Sequence, residues 1–580
     1  GDGGTVVVWS DVKNPDSVTT AQGEILAKGG ENGGDGGQIE TSGAKLITDG
    51  VSGSASAPRG VGGEWLFDPT NIVIGSSGTD ITGDSSASSI SASSVGDLLS
   101  DGTSVLIFTS ASGSQAGRIS VDAPILKDNG DEATLTLRGH GRVALNSSIK
   151  STFDKLNVVM WSDYNDTNNG GSTIGSVGVV ETNGGHFWMG GSSTDGGSYT
   201  WNGLTVGNGP SVGSAGANLN AVDLFGPVTT FGGDVLIWSG DGSGIGTNGI
   251  NTSNAGSVDA AAGNVTLITD QTSGALPVTT TGTLSLVPND GNYASGLIIG
   301  GTISGGNLTL NTSHYNGMVI NGFADLTGFN IGRYAGMLDN GTPIVQGNTS
   351  YVKISSDISV NGPISVYGGQ IAIDGNITSS GDGDIFLKGV SDANATITLY
   401  EGHTITKSGG SGTLTMQAHG RIFTTATSFI TTSGSGQMNV VLWSDYDDDN
   451  NDGGVTHLGS ISTGGGHVWI GGSSSDGGTY TWNGLTVGDG PSIGSSGFNA
   501  NALDLFGSVT TSGGDFFAWA GDGYGSGIDG IAADGLGDQI NTGSGDITLL
   551  TDKVDGSGYH TITFTTTGTF TLAPNGGSFP

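Results

Sequence analysis

Short runs of β-branched and aromatic residues alternate with glycine turns along the whole chain, and this pattern limits the fold more than any other feature. Typical runs lie in residues 62–67, 232–238 and 368–373, each of which begins with two glycines. Glycine supplies the positive-φ turns that join short strands. No long window shows apolar residues at helical spacing, and only residues 85–100 are expected to form one helical turn or two. The pattern therefore predicts an all-β chain.

The length of the chain separates the all-β folds from one another. A single sandwich or barrel rarely reaches 580 residues, whereas a β-solenoid lengthens by adding coils, each of which covers the last. At roughly 20 residues per coil, the chain would make about 25–30 coils. We therefore predict a β-solenoid in the form of an elongated rod.

A long passage of the sequence occurs twice. Residues 184–216 recur as residues 465–497, at an offset of 281 (465 − 184). Repetition at fixed spacing is typical of stacked architectures, and the offset would correspond to about 13 coils at the same coil length. We expect four β-helix segments: a single-copy segment at 1–119, a first module copy at 120–290, a connecting segment at 291–399 and a second module copy at 400–580.

Differences between the two copies sort one strand into two faces. Phe187 becomes Val468, and Met189 becomes Ile470 in the same way. Exchanges of one apolar residue for another suit a packed interior. The residues of the opposite face do not change and form a candidate binding surface: His186, Trp188, His467 and Trp469.

Two further strands are apolar on both faces, residues 235–238 and 516–519. A strand that is buried on both sides needs a covering layer. We therefore expect an extra hairpin or loop outside the helix at these places. Trp201 and Trp238 are expected to stack within the core, where aromatic residues bury a large area.

Composition excludes several classes of partner. The chain has no cysteine, and hence neither disulfides nor thiolate metal sites. Its 53 acidic residues against 16 basic ones give a net charge of −37, which argues against nucleic acid and anionic membranes as partners. No apolar run is long enough for a membrane span, so no membrane insertion is expected.

Two acidic loops form the densest group of candidate metal ligands. Alternating carboxylate and amide oxygens are what a hard cation such as Ca²⁺ requires. The EF-hand glycine and the final glutamate are missing, however, and a solvated β-turn loop is the alternative. The candidate Ca²⁺ ligands are Asp445, Asp447, Asp449 and Asp452 in one loop and Asp163 and Asp166 in the other. No other cofactor is predicted.

Four segments near the start of the chain carry a resemblance to a known family, namely residues 3–11, 25–30, 33–43 and 65–72. In order and spacing they resemble the body of filamentous-haemagglutinin-type exoproteins, the adhesins of two-partner secretion. The resemblance implies a right-handed parallel β-helix. The secretion domain of the family, with its Asn-Pro-Asn-Gly signature, is not found here, so the chain is expected to be the downstream body of something longer.

The resemblance also implies a function and a location. The expected role is that of an extracellular structural or adhesive fibre on the surface of a Gram-negative bacterium, with an outer-membrane secretion partner. It would attach to host or neighbouring cells, glycans or matrix. One alternative is a self-assembling matrix or sheath filament. A second is a β-helical carbohydrate-active enzyme, but no catalytic residues can be assigned because no paired carboxylates stand out in a groove pattern.

Overall fold

The computed structural model describes most of the 580 residues. Structural statements below refer to all residues except 80–86, 111–114, 168–169, 212–221, 241–248, 253–255, 270–271, 274–275, 288–296, 300–302, 305–306, 311–317, 322–325, 332–350, 391–395, 448–452, 458, 493–502, 522–529, 534–537, 553, 557–560 and 576–580. Asp449 and Asp452 of the predicted calcium loop lie outside the described residues.

The chain divides into two compact units. Unit 1 comprises Gly1–Asp290 and two short later segments, and unit 2 comprises Gln346–Pro580 and two short earlier segments. Each unit is described separately.

The chain of unit 1 winds in coils, and the strands of each coil lie in different sheets. Within each sheet, strands of neighbouring coils pair in parallel. The first sheet contains Thr5–Trp9, Gln38–Ser42, Glu64–Asp68, Ser104–Phe108, Ala133–Arg138, Leu156–Trp161, Phe187–Gly190, Val235–Trp238, Val265–Ile268 and Thr283–Val287. The second contains Val18–Thr20, Lys45–Ile47, Ser88–Ser91, Ile72–Gly75, Ile119–Val121, Val143–Leu145, Ser172–Ile174, Val222–Leu224, Ile250–Asn251 and Thr272–Ser273. The third side is formed by the pair Gly23–Leu26 and Val51–Ser54 and by the ladder Ile125–Lys127, Ser148–Ser151, Val179–Glu181, Pro227–Thr229, Ser257–Asp259, Pro277–Thr279 and Met318–Asn321.

One helix interrupts the strands of unit 1. It spans Ala92–Ser100, and the Ser91 side chain caps it by accepting a hydrogen bond from the Ser94 amide. A Cβ on Gly96 would lie 2.5 Å from the Leu126 carbonyl oxygen, so only glycine permits this close approach to the adjacent strand. The helix therefore takes the place of a strand within one coil, and it is longer than the turn or two expected from residues 85–100.

Unit 2 repeats the same construction. Its first sheet contains Gly328–Ile331, Ile364–Gly368, Ile385–Gly389, Ser411–Ala418, Gln437–Trp443, Val468–Gly471, Phe516–Trp519, Ile547–Leu550 and Phe570–Ala573. The second contains Leu297–Ile299, Tyr351–Ile354, Gln370–Ile373, Ile397–Leu399, Arg421–Thr424, Gly454–His457, Leu503–Leu505, Ile531–Ala533 and Val554–Gly556. The third contains Ile358–Val360, Ile377–Ser379, Thr404–Lys407, Phe429–Thr432, Ser460–Ser462, Ser508–Thr510, Gln539–Gly543 and Thr563–Thr566, and a short antiparallel pair joins Ile303–Ser304 to Asn307–Leu310.

The core of each unit consists of apolar side chains stacked in register from coil to coil. In unit 1, for example, Val105 pairs with Leu135, which pairs with Val158, and all three are fully buried. Because side chains alternate between the two faces of a strand, every second residue of each strand enters this core. The all-β, parallel β-helical fold predicted from the sequence is thereby confirmed.

The predicted coil length of about 20 residues is wrong. Neighbouring residues in the first sheet are 19 positions apart between Val265 and Leu284 but 48 apart between Phe187 and Val235. The estimate of 25–30 coils is therefore too high, because the first sheets of the two units contain ten and nine described strands. The longer coils carry the helix or an extra hairpin, which composition does not reveal. Within the described part of the chain, no helix combines the length and apolarity that a membrane crossing requires.

Candidate binding surface

An antiparallel hairpin lies outside the coils of unit 1. It pairs Ser198–Trp201 with Leu204–Gly207 around a two-residue turn, Asn202-Gly203. Both turn residues have positive φ, 48° and 76°, as in the turns that match the twist of a hairpin. The sequence signal was therefore an Asn-Gly pair between alternating apolar residues.

The second module copy builds the same hairpin in unit 2. Thr479–Trp482 pairs with Leu485–Gly488, and the turn residues Asn483 and Gly484 have φ values of 47° and 77°. The expectation of an extra hairpin over the two-sided apolar strands is thus confirmed in both copies.

The hairpins bury the tryptophans that were predicted to form a binding surface. Trp188 is 1% exposed and Trp469 is 0% exposed. Trp469 lies in an apolar cluster between the outer face of the sheet and the hairpin, together with Trp443 and Leu485. The indole of Trp188 also occupies the place where Gly190 would carry a Cβ, at 2.8 Å. The prediction of an exposed tryptophan surface is wrong, because these strands are covered on their outer side.

Tryptophans of both module copies form edge-on pairs across adjacent coils. Trp161 and Trp188 have ring centroids 6.2 Å apart, and Trp443 and Trp469 have centroids 6.4 Å apart. Trp201 and Trp238 are also buried. The expectation that they stack within the core of the coils is wrong for Trp201, which lies on the hairpin, and for Trp238, which alternates with the core residues of its strand. The tryptophans of the duplication therefore join the hairpin to the sheet.

The predicted binding residue His186 fastens the hairpin to the sheet. Its Nδ1 accepts a hydrogen bond from the Asp234 amide at 3.0 Å and a second from Asn202 Nδ2 at 3.2 Å. Asn202 Nδ2 also donates to Asp234 Oδ2 at 2.8 Å. Desolvation is the main effect on this half-buried ring and lowers the pKa of His186 below its ordinary value. A neutral ring with a free Nδ1 lone pair is therefore the form that holds the hairpin.

His467 makes the same contacts in the second copy. Its Nδ1 accepts from the Asp515 amide at 2.9 Å and from Asn483 Nδ2 at 3.3 Å. His186 and His467 are thus unchanged between the copies for a structural reason, and neither lies on an open binding face.

The outer face of each hairpin carries hydroxyl groups. Thr200 pairs across the strands with Thr205, and both are exposed. The matching pair in unit 2 is Thr481 and Thr486, which are exposed as well. The surface that the duplication displays twice is therefore a polar ledge of threonines, with the tryptophans beneath it.

The acidic loop of the first copy folds back on itself. Asp163 is buried, and its Oδ1 accepts hydrogen bonds from the backbone amide and the hydroxyl of Thr167, at 3.1 and 3.3 Å. Asp166 is exposed. Both aspartates have positive φ, 49° and 54°, which is typical of turn residues.

The acidic loop of the second copy is connected to a histidine. Asp447 Oδ2 lies 2.7 Å from His419 Nδ1, and the Tyr446 hydroxyl is hydrogen-bonded to the other nitrogen of that ring. The Asp445 side chain is buried. Among the residues that the structure describes, no group of three or more His, Asp or Glu side chains could hold a metal ion. Calcium binding by these loops stays a prediction, since Asp449 and Asp452 lie outside the described ranges.

Sequence reasoning missed a pair of arginines on the second sheet of unit 1. Arg118 and Arg142 precede the paired residues Ile119 and Val143 and are both exposed. The available signal was their rarity, since the chain has only 16 basic residues.

No known protein-family model matches this chain, and no match was found among the curated proteins.

Proposed function

We propose that this chain is part of an extracellular structural and adhesive fibre on a Gram-negative bacterial surface, where it attaches to cells, surfaces or matrix. The observation that carries the proposal is the repetition of the threonine ledge. The same hairpin is built twice, on the same kind of sheet, with its exposed threonine pairs unchanged.

Two identical ledges on one chain suit attachment through many weak contacts. Linked sites convert the second contact into an intramolecular one, so avidity exceeds the affinity of either site by about 10²–10⁴. The buried side of each hairpin is held by the histidine contacts and the tryptophans, so the ledge is rigid before any partner arrives. Rigid presentation lowers the entropy cost of binding.

The extracellular location and the outer-membrane secretion partner are part of the same proposal and rest on the sequence resemblance. The absence of cysteine is compatible with passage through an oxidising compartment.

An attachment assay tests the adhesive role. Beads coated with the purified chain would be counted on cultured epithelial cells, bacterial cells and extracellular matrix. The pair Thr200→Lys with Thr205→Glu replaces the ledge hydroxyls by opposite charges that keep the cross-strand pair compatible. Thr481→Lys with Thr486→Glu does the same in unit 2. We expect a partial loss from either pair and a loss of about 100-fold from both together, because avidity disappears.

A matched control places the same charges elsewhere. Ser359 and Thr378 are half-buried neighbours on the third sheet of unit 2, and Ser359→Lys with Thr378→Glu should leave attachment unchanged. If the four-residue ledge variant attaches as the unaltered chain does, the adhesive role of the hairpins is wrong. Negative-stain images of the same material separate discrete particles from continuous fibres, and continuous fibres would favour the self-assembling filament instead.

A further inference from the structure

A hollow of about 380 Å³ lies on the second sheet of unit 1. Its volume falls within the range of about 300–1,000 Å³ that is usual for ligand pockets. Ser120 and Ala144, which pair in register on adjacent coils, line it together with Val73. Both are partly exposed, whereas the flanking residues of their strands are buried. The floor of the hollow is thus narrow, weakly polar and open to solvent.

One wall of the hollow is basic. Arg118 and Arg142 lie on consecutive coils, which are spaced about 4.8 Å apart. Arg142 Nη2 donates to the Thr173 hydroxyl at 2.7 Å and lies 3.9 Å from Asp223, while its side chain stays 44% exposed. The Arg118 guanidinium is exposed and has no hydrogen-bond or ion-pair partner within the described residues.

The other wall is a network of amide, hydroxyl and carboxylate groups. Asn146 Nδ2 donates to Asp122 Oδ1 at 2.9 Å and to the Ser120 hydroxyl at 3.2 Å, and the same hydroxyl donates to Asp122 at 2.6 Å. The carboxylate of Asp122 is therefore engaged on its own side of the hollow. Because the amide and hydroxyl protons of this wall are already donated, it offers a ligand acceptor oxygens, which suit ligand hydroxyl groups that donate.

The second module copy carries a larger side chain at the corresponding place. Arg421, the counterpart of Arg142, keeps its hydrogen bond to a threonine and its position near a buried aspartate. Phe423 stands where the first copy has Ala144, however, and its ring lies 5.6 Å from the Arg421 guanidinium. Thr396, which precedes Ile397 in the paired strand, stands where the first copy has Arg118. The second module thus differs from the hollow of unit 1 at two positions, where it has a phenylalanine for an alanine and a threonine for an arginine.

We propose that the hollow of unit 1 binds an acidic saccharide, that is, a sugar that carries carboxylate or sulfate groups. Two guanidinium groups on one wall match such an anion with charge-assisted, bidentate hydrogen bonds. The acceptor oxygens of the opposite wall match ring hydroxyls that donate, and the small floor residues leave room for the apolar face of the ring. In a chain with net charge −37, most of the surface repels such a ligand, so binding is confined to this arginine pair. The site does not involve the threonine ledges and stands independently of their adhesive role.

Isothermal titration calorimetry tests this site. The probes are trigalacturonic acid and a heparin tetrasaccharide, with maltotriose as the neutral comparison and inorganic sulfate as the simple anion. We expect at least one acidic probe to bind, with an affinity that falls as NaCl rises, and maltotriose and sulfate to bind at least tenfold more weakly. Ala144→Phe and Arg118→Thr copy the residues of the second module, and each should weaken binding at least tenfold.

These variants carry their own control, because the second module already accommodates both residues in its coils. Circular dichroism and the thermal midpoint of each variant should match those of the unaltered chain. Binding that survives both substitutions would overturn the proposal, as would equal binding of maltotriose or sulfate or no binding of either acidic probe. The ledge variant Thr200→Lys with Thr205→Glu should keep full binding, so failure of the hollow and failure of the adhesive ledges give different results.

Discussion

At the scale of single residues, the two module copies place different chemistry at equivalent core positions. His457 in unit 2 is fully buried, and its Nδ1 lies 2.7 Å from the Thr424 hydroxyl. In unit 1 the corresponding pair is Leu145 and Ile174, both also fully buried. The second copy therefore carries a titratable histidine beside a threonine hydroxyl where the first has two aliphatic side chains.

This pair predicts acid sensitivity of unit 2. Burial lowers the pKa of His457 to about 4, whereas an unfolded histidine has a pKa of about 6.5. Between these values the unfolded chain binds a proton that the folded chain does not, so stability falls as pH falls from about 6.5 to 4. At pH 4.5, protonation of this histidine in the unfolded chain should lower the free energy of unfolding by about 2–3 kcal/mol relative to pH 7.5. Urea unfolding of unit 2 at pH 7.5 and pH 4.5 measures the loss.

The first module copy supplies the control. His457→Ile with Thr424→Leu recreates the aliphatic pair of unit 1 and should remove most of that pH dependence. If the double variant loses as much stability at pH 4.5 as the unaltered chain, His457 is not the group responsible.

At the scale of elements, the hairpins and the coils are held by different backbone hydrogen-bond patterns. A strand of the first sheet is held on both sides by parallel ladders, as Phe187–Gly190 is held by Leu156–Trp161 and Val235–Trp238. Among the described residues, the hairpin strands form a backbone ladder only with each other, and side-chain contacts alone fasten them to the sheet. The hairpin is closed by a turn in which two successive residues have positive φ. It should therefore open locally without unfolding the coils beneath it.

Gly203→Ala tests this local opening. Gly203 has a φ of 76°, and an alanine in that region costs about 1–2 kcal/mol. Amide hydrogen exchange in residues 198–207 should accelerate about 5- to 30-fold, while exchange in Phe187–Gly190 stays slow. The unaltered hairpin at residues 479–488 is the internal reference. Equal acceleration in the underlying strand would show that hairpin and coils unfold together.

At the scale of the whole molecule, charge is the dominant feature outside the core. The charges of a chain with net charge −37 repel one another. Among the residues that the structure describes, only a few ion pairs offset this repulsion, such as Lys150 with Glu181 and Lys353 with Asp374, each at 2.8 Å. Exposed pairs of this kind contribute little, about 0–1 kcal/mol each. Ionic strength should therefore influence stability more than any single pair.

We expect the thermal midpoint to rise when NaCl is increased from 10 to 150 mM, because the Debye length shortens from about 30 to about 8 Å and screens the repulsion. Scanning calorimetry measures the shift, and an unchanged or lower midpoint would contradict it.

Calcium binding by the acidic loops is tested by the same calorimetric measurement. If the loops bind Ca²⁺, the thermal midpoint in CaCl₂ is higher than the midpoint in MgCl₂ at equal ionic strength. The substitution Asp445→Asn should then abolish the difference between the two midpoints.

Part of the candidate surface could be derived from the sequence and part could not. Alternation placed Phe187 and Met189 in the core and Trp188 on the opposite face, and all three positions are as expected. Alternation could not predict whether Trp188 is exposed, because its face is covered by a hairpin that is not part of the repeating coil. The basic hollow was missed because Arg118 and Arg142 lie 24 positions apart in the chain (142 − 118) and meet only through strand pairing.

The sequence by itself determined the fold class, since glycine turns and β-branched runs of period two allow little other than stacked short strands. It also located the duplicated module and the need for a cover over the two-sided apolar strands. Only the tertiary structure decided the coil lengths, the burial of Trp188 and Trp469, and the meeting of residues from successive coils. The physical reason is that coil pairing joins residues 19 to 48 positions apart, at distances set by insertions that carry no periodic signal of their own.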